Sequence, residues 1–220
     1  MVYPDEIIRS DRKTLAISID PFGRLIVRAP KRCGEERIFA FIKEKESWIL
    51  RKKAEMTGAG VDLPKENLHG YKLSLLGEKY EILLTDEGRI SLNTDTKRLC
   101  LPQKNAKERL VKWCKENAKR ILTATTEKYA EKMGVSYQSV TITSARSRWG
   151  CCTHDNKIRY SYRLIFTPKE VVEYVTVHEL AHILHKNHSA AFWREVERHM
   201  PDWKQKRKWL RQNSALMEIF

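Results

Sequence analysis

Eleven consecutive residues hold most of the chemistry this chain could perform: His178-Glu179-Leu180-Ala181-His182-Ile183-Leu184-His185-Lys186-Asn187-His188. They spell H-E-x-x-H, with a further histidine six positions after the second. On an α-helix, residues i and i+4 share a face because 3.6 residues complete a turn. His178 and His182 can therefore offer two imidazole nitrogens to one metal ion. Glu179, one residue round, can place a carboxylate beside a water that such an ion polarises. A third ligand from outside the helix leaves the fourth tetrahedral position for that water, which is the arrangement of a hydrolytic site and not of a closed structural one.

The pentapeptide also arises by chance on solvated helices, so its surroundings decide. Val171, Val172, Tyr174, Val175, Val177, Leu180, Ala181 and Leu184 make the segment too apolar to lie exposed. Thr167 reads as its N-cap and Pro168 as a residue of its first turn. Two imidazoles and a carboxylate embedded in such an element are costly without a shared partner, and a cation satisfies all three. Three residues compete for the third ligand position. His185 shares a face with His178 but lies about 10 Å further along the axis at 1.5 Å per residue, too far for both to reach one ion. It is read as lying behind the ligands or on the surface. Glu195 could bring a carboxylate from a following helix. His188 ranks first, provided that the helix ends near residues 184–186 and the chain turns back, with Asn187 taking the left-handed conformation it tolerates. Histidine donors with an open position favour Zn2+.

A second concentration of chemistry is Arg146-Ser147-Arg148-Trp149-Gly150-Cys151-Cys152. In the plainest reading this is a turn in which Gly150 supplies an unusual φ and Trp149 packs. In a functional one, Arg146 or Arg148 binds substrate, stabilising an oxyanion or gripping a carboxylate or phosphate. Cys152 would need an activating base to act as a nucleophile, and reads as a small buried residue near the site.

Composition bounds the rest. With 220 residues, 41% hydrophobic and 32% charged, the chain is long enough for one large or two modest globular domains. It has no run of about 18 apolar residues, so no membrane span or membrane partner is expected. The opening Met1-Val2-Tyr3-Pro4-Asp5-Glu6 does not resemble a secretory signal. Five cysteines without framework spacing suit a reducing, cytoplasmic setting. The net charge of +14 divides into +3 over residues 1–102 and +11 over residues 103–220. That excess would attract acidic peptides, nucleotides or nucleic acid, although charge runs are commonly solvated faces.

Alternation and turn residues predict strands over 6–10, 13–20 and 24–29, the last two joined by Pro21-Phe22-Gly23. One helix follows over 35–56, stopped by Thr57-Gly58-Ala59-Gly60. Strands over 71–76 and 79–84 flank a Gly77-Glu78 turn, and 89–92 and 97–101 extend the sheet. A long helix over 105–133 ends at Gly134, with Leu110, Val111, Trp113, Ile121, Leu122 and Tyr129 as its core face. Strands over 140–145 and 157–161 precede the metal-binding helix, and helices over 189–199 and 203–216 close the chain. The expected fold class is α+β: a β-rich N-terminal domain with one helix over 1–102, and a mostly helical catalytic domain over 103–220.

Ser147-Arg148-Trp149-Gly150-Cys151-Cys152, Arg163-Leu164-Ile165, His178-Glu179-Leu180-Ala181-His182 and Asn187-His188-Ser189 with Phe192-Trp193 together resemble the YgjP-like metallopeptidases of bacteria. The resemblance extends over nearly the whole chain, and its specific motifs lie within about residues 144–194. That family usually carries Ser-Cys after the Trp-Gly. This chain has Cys151-Cys152, so any role for a serine there does not transfer. The resemblance implies a zincin-like minimal metalloprotease fold, zinc on His178, His182 and His188, and Glu179 as the catalytic glutamate. It also implies kinship with the minimal zinc proteases linked to repair of DNA–protein crosslinks.

The expected activity is therefore zinc-dependent hydrolysis, with Glu179 as general base and a peptide bond as electrophile. An extended substrate could lie along the edge of the 157–161 strand. Two alternatives stand beside it. One is hydrolysis of a nucleotide phosphoanhydride, with basic residues from Arg146 to Arg163 holding the phosphates. The other is association with nucleic acid through Lys204, Lys206, Arg207, Lys208 and Arg211, which could also tether a protease to DNA.

Overall fold

The computed structural model describes residues 2–56, 67–86 and 88–220. They form two compact units: residues 2–56 with Lys208–Ala215, and residues 67–86 and 88–207 with Leu216–Phe220.

The first unit holds β1 (Glu6–Ser10), β2 (Ala16–Ile19), β3 (Leu25–Pro30), α1 (Glu35–Glu44) and α2 (Glu46–Met56). β3 is central, pairing in parallel with β1 and antiparallel with β2. Leu25, Val27 and Ala29 alternate onto one face of β3, and with Ile38, Ile42 and Ile49 they form the core. The single helix expected over 35–56 is two. At Lys45 the backbone N–H is shared between the carbonyls of Phe41 and Ile42, a tightening that interrupts the α-helix. The expected stop at residues 57–60 lies outside the described residues.

The second unit begins with β4 (Lys72–Leu75), β5 (Glu78–Thr85), β6 (Ser91–Asn93) and β7 (Arg98–Pro102), in the order β4-β5-β7-β6. The β4–β5 turn is Leu76-Gly77, one residue earlier than expected, and both residues have positive φ (51° and 92°). That conformation matches the twist of a two-residue hairpin, which is why a glycine stands there. Next come α3 (Ala106–Met133), β8 (Ser139–Thr143), β9 (Gly150–Cys152), β10 (Lys157–Ser161), a 3-10 helix (Tyr162–Phe166), α4 (Lys169–Leu184) and α5 (Ala190–His199). α6 (Trp203–Gln212) and a 3-10 helix (Ser214–Glu218) are divided between the two units. The division expected after Pro102 falls inside the second unit, where the Leu76 N–H donates to the Ile165 carbonyl at 2.8 Å.

α3 buries Leu110, Cys114, Ala118, Leu122, Thr126, Tyr129, Ala130 and Met133, a stripe at helical spacing. Val111, Trp113 and Ile121, expected in the core, are only partly buried, because small residues at 114 and 118 let the stripe run beside them. The stripe meets α4, and Thr126 Oγ1 lies 3.2 Å from the hydroxyl of Tyr160 on β10. Leu122 is fully enclosed. Leu122→Ala should therefore destabilise the fold by about 2–5 kcal/mol, the range for a leucine removed from a packed core. Chemical denaturation measures this, and an unshifted midpoint would contradict the packing described.

Candidate metal centre

α4 is buried nearly all round, through Val171, Val172, Tyr174, Val175, Val177, Leu180 and Ala181. It begins at Lys169 with Pro168 as its cap residue. Thr167 does not cap it, as its hydroxyl donates to the Leu164 carbonyl at 2.8 Å. The helix emerges at its end, where Leu184 is 49% exposed, contrary to its expected burial. It stops at His185, whose backbone is extended (φ −134°, ψ 101°). Asn187 is not left-handed, as no positive φ occurs in this stretch. Instead its Oδ1 accepts the Ser189 N–H, and Ser189 Oγ accepts the Phe192 N–H, capping α5. The reversal that returns His188 to α4 is thus made by extended backbone and two side-chain caps.

It brings three imidazoles together. The Nε2 atoms of His178 and His188 lie 3.1 Å apart. A ligand nitrogen from each of His178, His182 and His188 lies within 4.8 Å of the other two. Nitrogens bound to a tetrahedral zinc at about 2.0–2.1 Å sit about 3.3 Å apart, so the set fits one ion with little movement. His182 Nδ1 lies 3.1 Å from the His185 carbonyl. A carbonyl only accepts, so Nδ1 carries the proton and Nε2 keeps its lone pair for a metal. Burial, then the neighbouring imidazoles, pushes His178 down to about 3, and burial also lowers His182. Both rings therefore stay neutral, as ligands must. His178 Nδ1 is buried without a partner among the described residues, so packing orients that ring. Glu195 is engaged elsewhere, 3.0 Å from His199 Nε2, and His185 contributes its carbonyl.

Two aromatic residues, quoted above only within the family resemblance, support the cluster. Phe192 is fully buried, with its ring centroid 4.9, 4.5 and 4.8 Å from His178, His182 and His188. Trp193 stacks on His188 at 5.6 Å and 25°, and on Trp203 at 4.2 Å and 17°. The Arg207 guanidinium lies 4.9 Å from the Trp193 ring centre. Their signal in sequence was a pair of large aromatics four and five residues after the exposed histidine.

Glu179 is only 5% exposed, and burial pushes its carboxyl up to about 8 against the Cys152 N–H and the charge of Arg148, which pull it down. Its side chain rests on bare backbone: a Cβ on Gly150 would stand 2.7 Å from Glu179 Oε1. Gly150 is thus required by close approach and not by an unusual φ, correcting the turn reading. β9, unforeseen in sequence because three residues carry no alternation pattern, is an edge strand in the order β8-β10-β9. β10 is central and paired on both sides, so the edge expected on residues 157–161 is not free.

The arginines divide. Arg146 is drawn to Glu218 at 3.4 Å. Arg148 stands exposed near Glu179. Arg163 is 2% exposed and donates to the carbonyls of Ser144, Ile219 and Phe220, so it holds backbone and no phosphate. On α6, Lys206 pairs with Asp202 and Arg207 covers Trp193. Burial raises the Cys152 thiol, leaving it a poor nucleophile. No helix among the described residues is long and apolar enough to cross a membrane.

The description "YgjP-like, metallopeptidase domain" matches residues 13–213. The chain belongs to the YgjP-like metallopeptidase family. No curated protein matches it. Among solved structures, the crystal structure of the metallopeptidase zymogen of Pyrococcus abyssi abylysin is 23% identical, covering 40% of this chain and 90% of that one, with a TM-score of 0.38.

Two outcomes follow from the geometry. Gly150→Ala forces the Glu179 carboxylate or β9 to shift, and peptide hydrolysis should fall by about a hundredfold while metal content is unchanged. Trp193→Ala should weaken metal binding by about 10–100-fold in chelator competition, with Trp193→Phe recovering most of it. Wild-type affinity in the alanine variant would show that the stack does not hold His188.

Proposed function

We propose that this chain is a zinc-dependent peptidase in which His178, His182 and His188 hold the ion and Glu179 moves the proton. The observation that carries the reading is the convergence of three imidazoles on one point, with Glu179 following His178 on the same buried helix. Three imidazole nitrogen donors and no carboxylate suit zinc better than the hard cations. When bound, the ion supplies a Lewis acid and brings a water toward neutral acidity.

The chain's own groups do the rest. Glu179 takes the proton of the attacking water and returns it to the leaving amine, and burial gives its carboxyl the basicity for both transfers near neutral pH. A divalent cation alongside would lower that basicity without removing the role. The Cys152 N–H and the flat contact with Gly150 hold the carboxylate in one position. The free edge of β9 receives the substrate backbone as an added strand. Arg148, whose charge reaches Glu179, is the cation available to a substrate at this end of β9.

Glu179→Gln tests the assignment. The variant should keep its zinc, because none of the ligands changes, while turnover of an unstructured protein substrate falls by about 10²–10⁴-fold. A chelator should abolish wild-type activity, and one equivalent of Zn2+ should restore it. Undiminished turnover in the glutamine variant would remove Glu179 from the mechanism.

A further inference from the structure

We propose that the cleft bearing Arg148 and Arg159 is a subsite for an Asp or Glu side chain of an extended peptide substrate. The inference rests on the peptidase reading and names the substrate class it serves.

Sheet geometry sets the direction of every group on β9. The Ser161 N–H donates to the Trp149 carbonyl at 2.8 Å and the Thr153 N–H to the Lys157 carbonyl at 2.9 Å. Positions 149, 151 and 153 therefore bond toward β10, and the backbone groups of Gly150 and Cys152 turn to the outer edge, where the Cys152 N–H meets Glu179 and the Gly150 groups are left for a peptide. Side chains alternate independently between the two faces. Position 150 faces α4, where its absent Cβ would strike Glu179. Cys151 faces the opposite side, in register with Arg159 on β10 and Thr141 on β8. A peptide added along β9 thus sends alternate side chains toward α4 and toward the Cys151 face.

On that second face lies a cleft of about 190 Å³, lined among others by Thr143, Arg148, Cys151, Arg159 and Ser161. No acidic residue lines it. The neighbouring cations are committed: Arg146 to Glu218, Lys157 to Asp155, and Arg163 to three carbonyls. Among the described residues neither Arg148 nor Arg159 forms a salt bridge, and the charge of Arg148 reaches Glu179 only through space. Arg159 lies one strand in from the edge, about 4.8 Å, and only the small Cys151 stands between it and an added strand. Arg159 on β10 and Arg148, two residues before β9, line the same cleft, and a guanidinium fork is the side chain best shaped to bind a carboxylate. Ligand pockets commonly span roughly 300–1,000 Å³, so this smaller cleft suits one side chain better than a nucleotide. The +11 excess over residues 103–220 adds a field of the same sign.

The test uses internally quenched peptides, identical except for Glu or Gln at each position in turn, with zinc-loaded wild type, Arg159→Gln and Arg148→Gln. At one position Glu should exceed Gln by about tenfold in kcat/KM, the size of a hydrogen-bonded charge. That ratio should fall toward one in Arg159→Gln and Arg148→Gln. The same pairs are titrated by fluorescence anisotropy against zinc-loaded Glu179→Gln protein, which reads the subsite without turnover. Cleavage with no Glu preference at any position, or a ratio unchanged in both variants, overturns the subsite. Glu-selective binding without cleavage by wild type overturns the peptidase reading and leaves the subsite standing. A single-stranded oligonucleotide that binds more tightly than every Glu peptide, and loses affinity in Arg159→Gln, overturns the carboxylate assignment in favour of phosphate.

Discussion

α4 is enclosed on nearly every side, with little solvent to stabilise charge, yet it carries a buried carboxylate and two half-buried imidazoles. Everything around them follows from this constraint. Burial keeps His178 and His182 neutral, so their lone pairs are available for a cation. It also raises the basicity of Glu179, whose nearest relief is one backbone N–H from β9. α3 and β10 wall the helix from behind, through Thr126 and Tyr160. An element this apolar is tolerable with three polar groups only if they share a partner, and the residues present supply the donors for one.

The third histidine is held differently. His188 lies on an exposed connection, and rigidity reaches it from α5 and not from α4. Ser189 starts that helix, Phe192 lies against all three imidazoles, and Trp193 is clamped between His188 and Trp203. Flat aromatic faces constrain the tilt of the His188 ring at little entropic cost. Gly150 performs the complementary task on the other side of Glu179 by contributing no side chain. β9 is thereby at once a support for the carboxylate and an open sheet edge, which ties the position of the reacting groups to the surface a peptide would use.

Several departures from the sequence reading share one cause. Arg163 was grouped with the exposed arginines because composition does not reveal which cation is enclosed; its three carbonyl partners come from segments about 20 and 56 residues away. Asn187 and Thr167 have the right chemistry for a left-handed turn and a helix cap, but their side chains bond to other partners. Cys151, read in sequence as standing where the resembling family carries a serine, faces away from α4 and from Glu179.

Spacing along the chain was enough to place His178, Glu179 and His182 on one helix, because the α-helical repeat is a local property of the backbone. The length of α3 and the β4–β5 hairpin were legible for the same reason. His188 could be ranked over Glu195 and His185 by the reach of a short connection. Tertiary structure alone decided that Gly150 lies under Glu179, that β9 and not β10 is the open edge, and that Trp193 bears on His188. Those are contacts between segments distant in sequence or facing in directions set by sheet register, and no local periodicity encodes them.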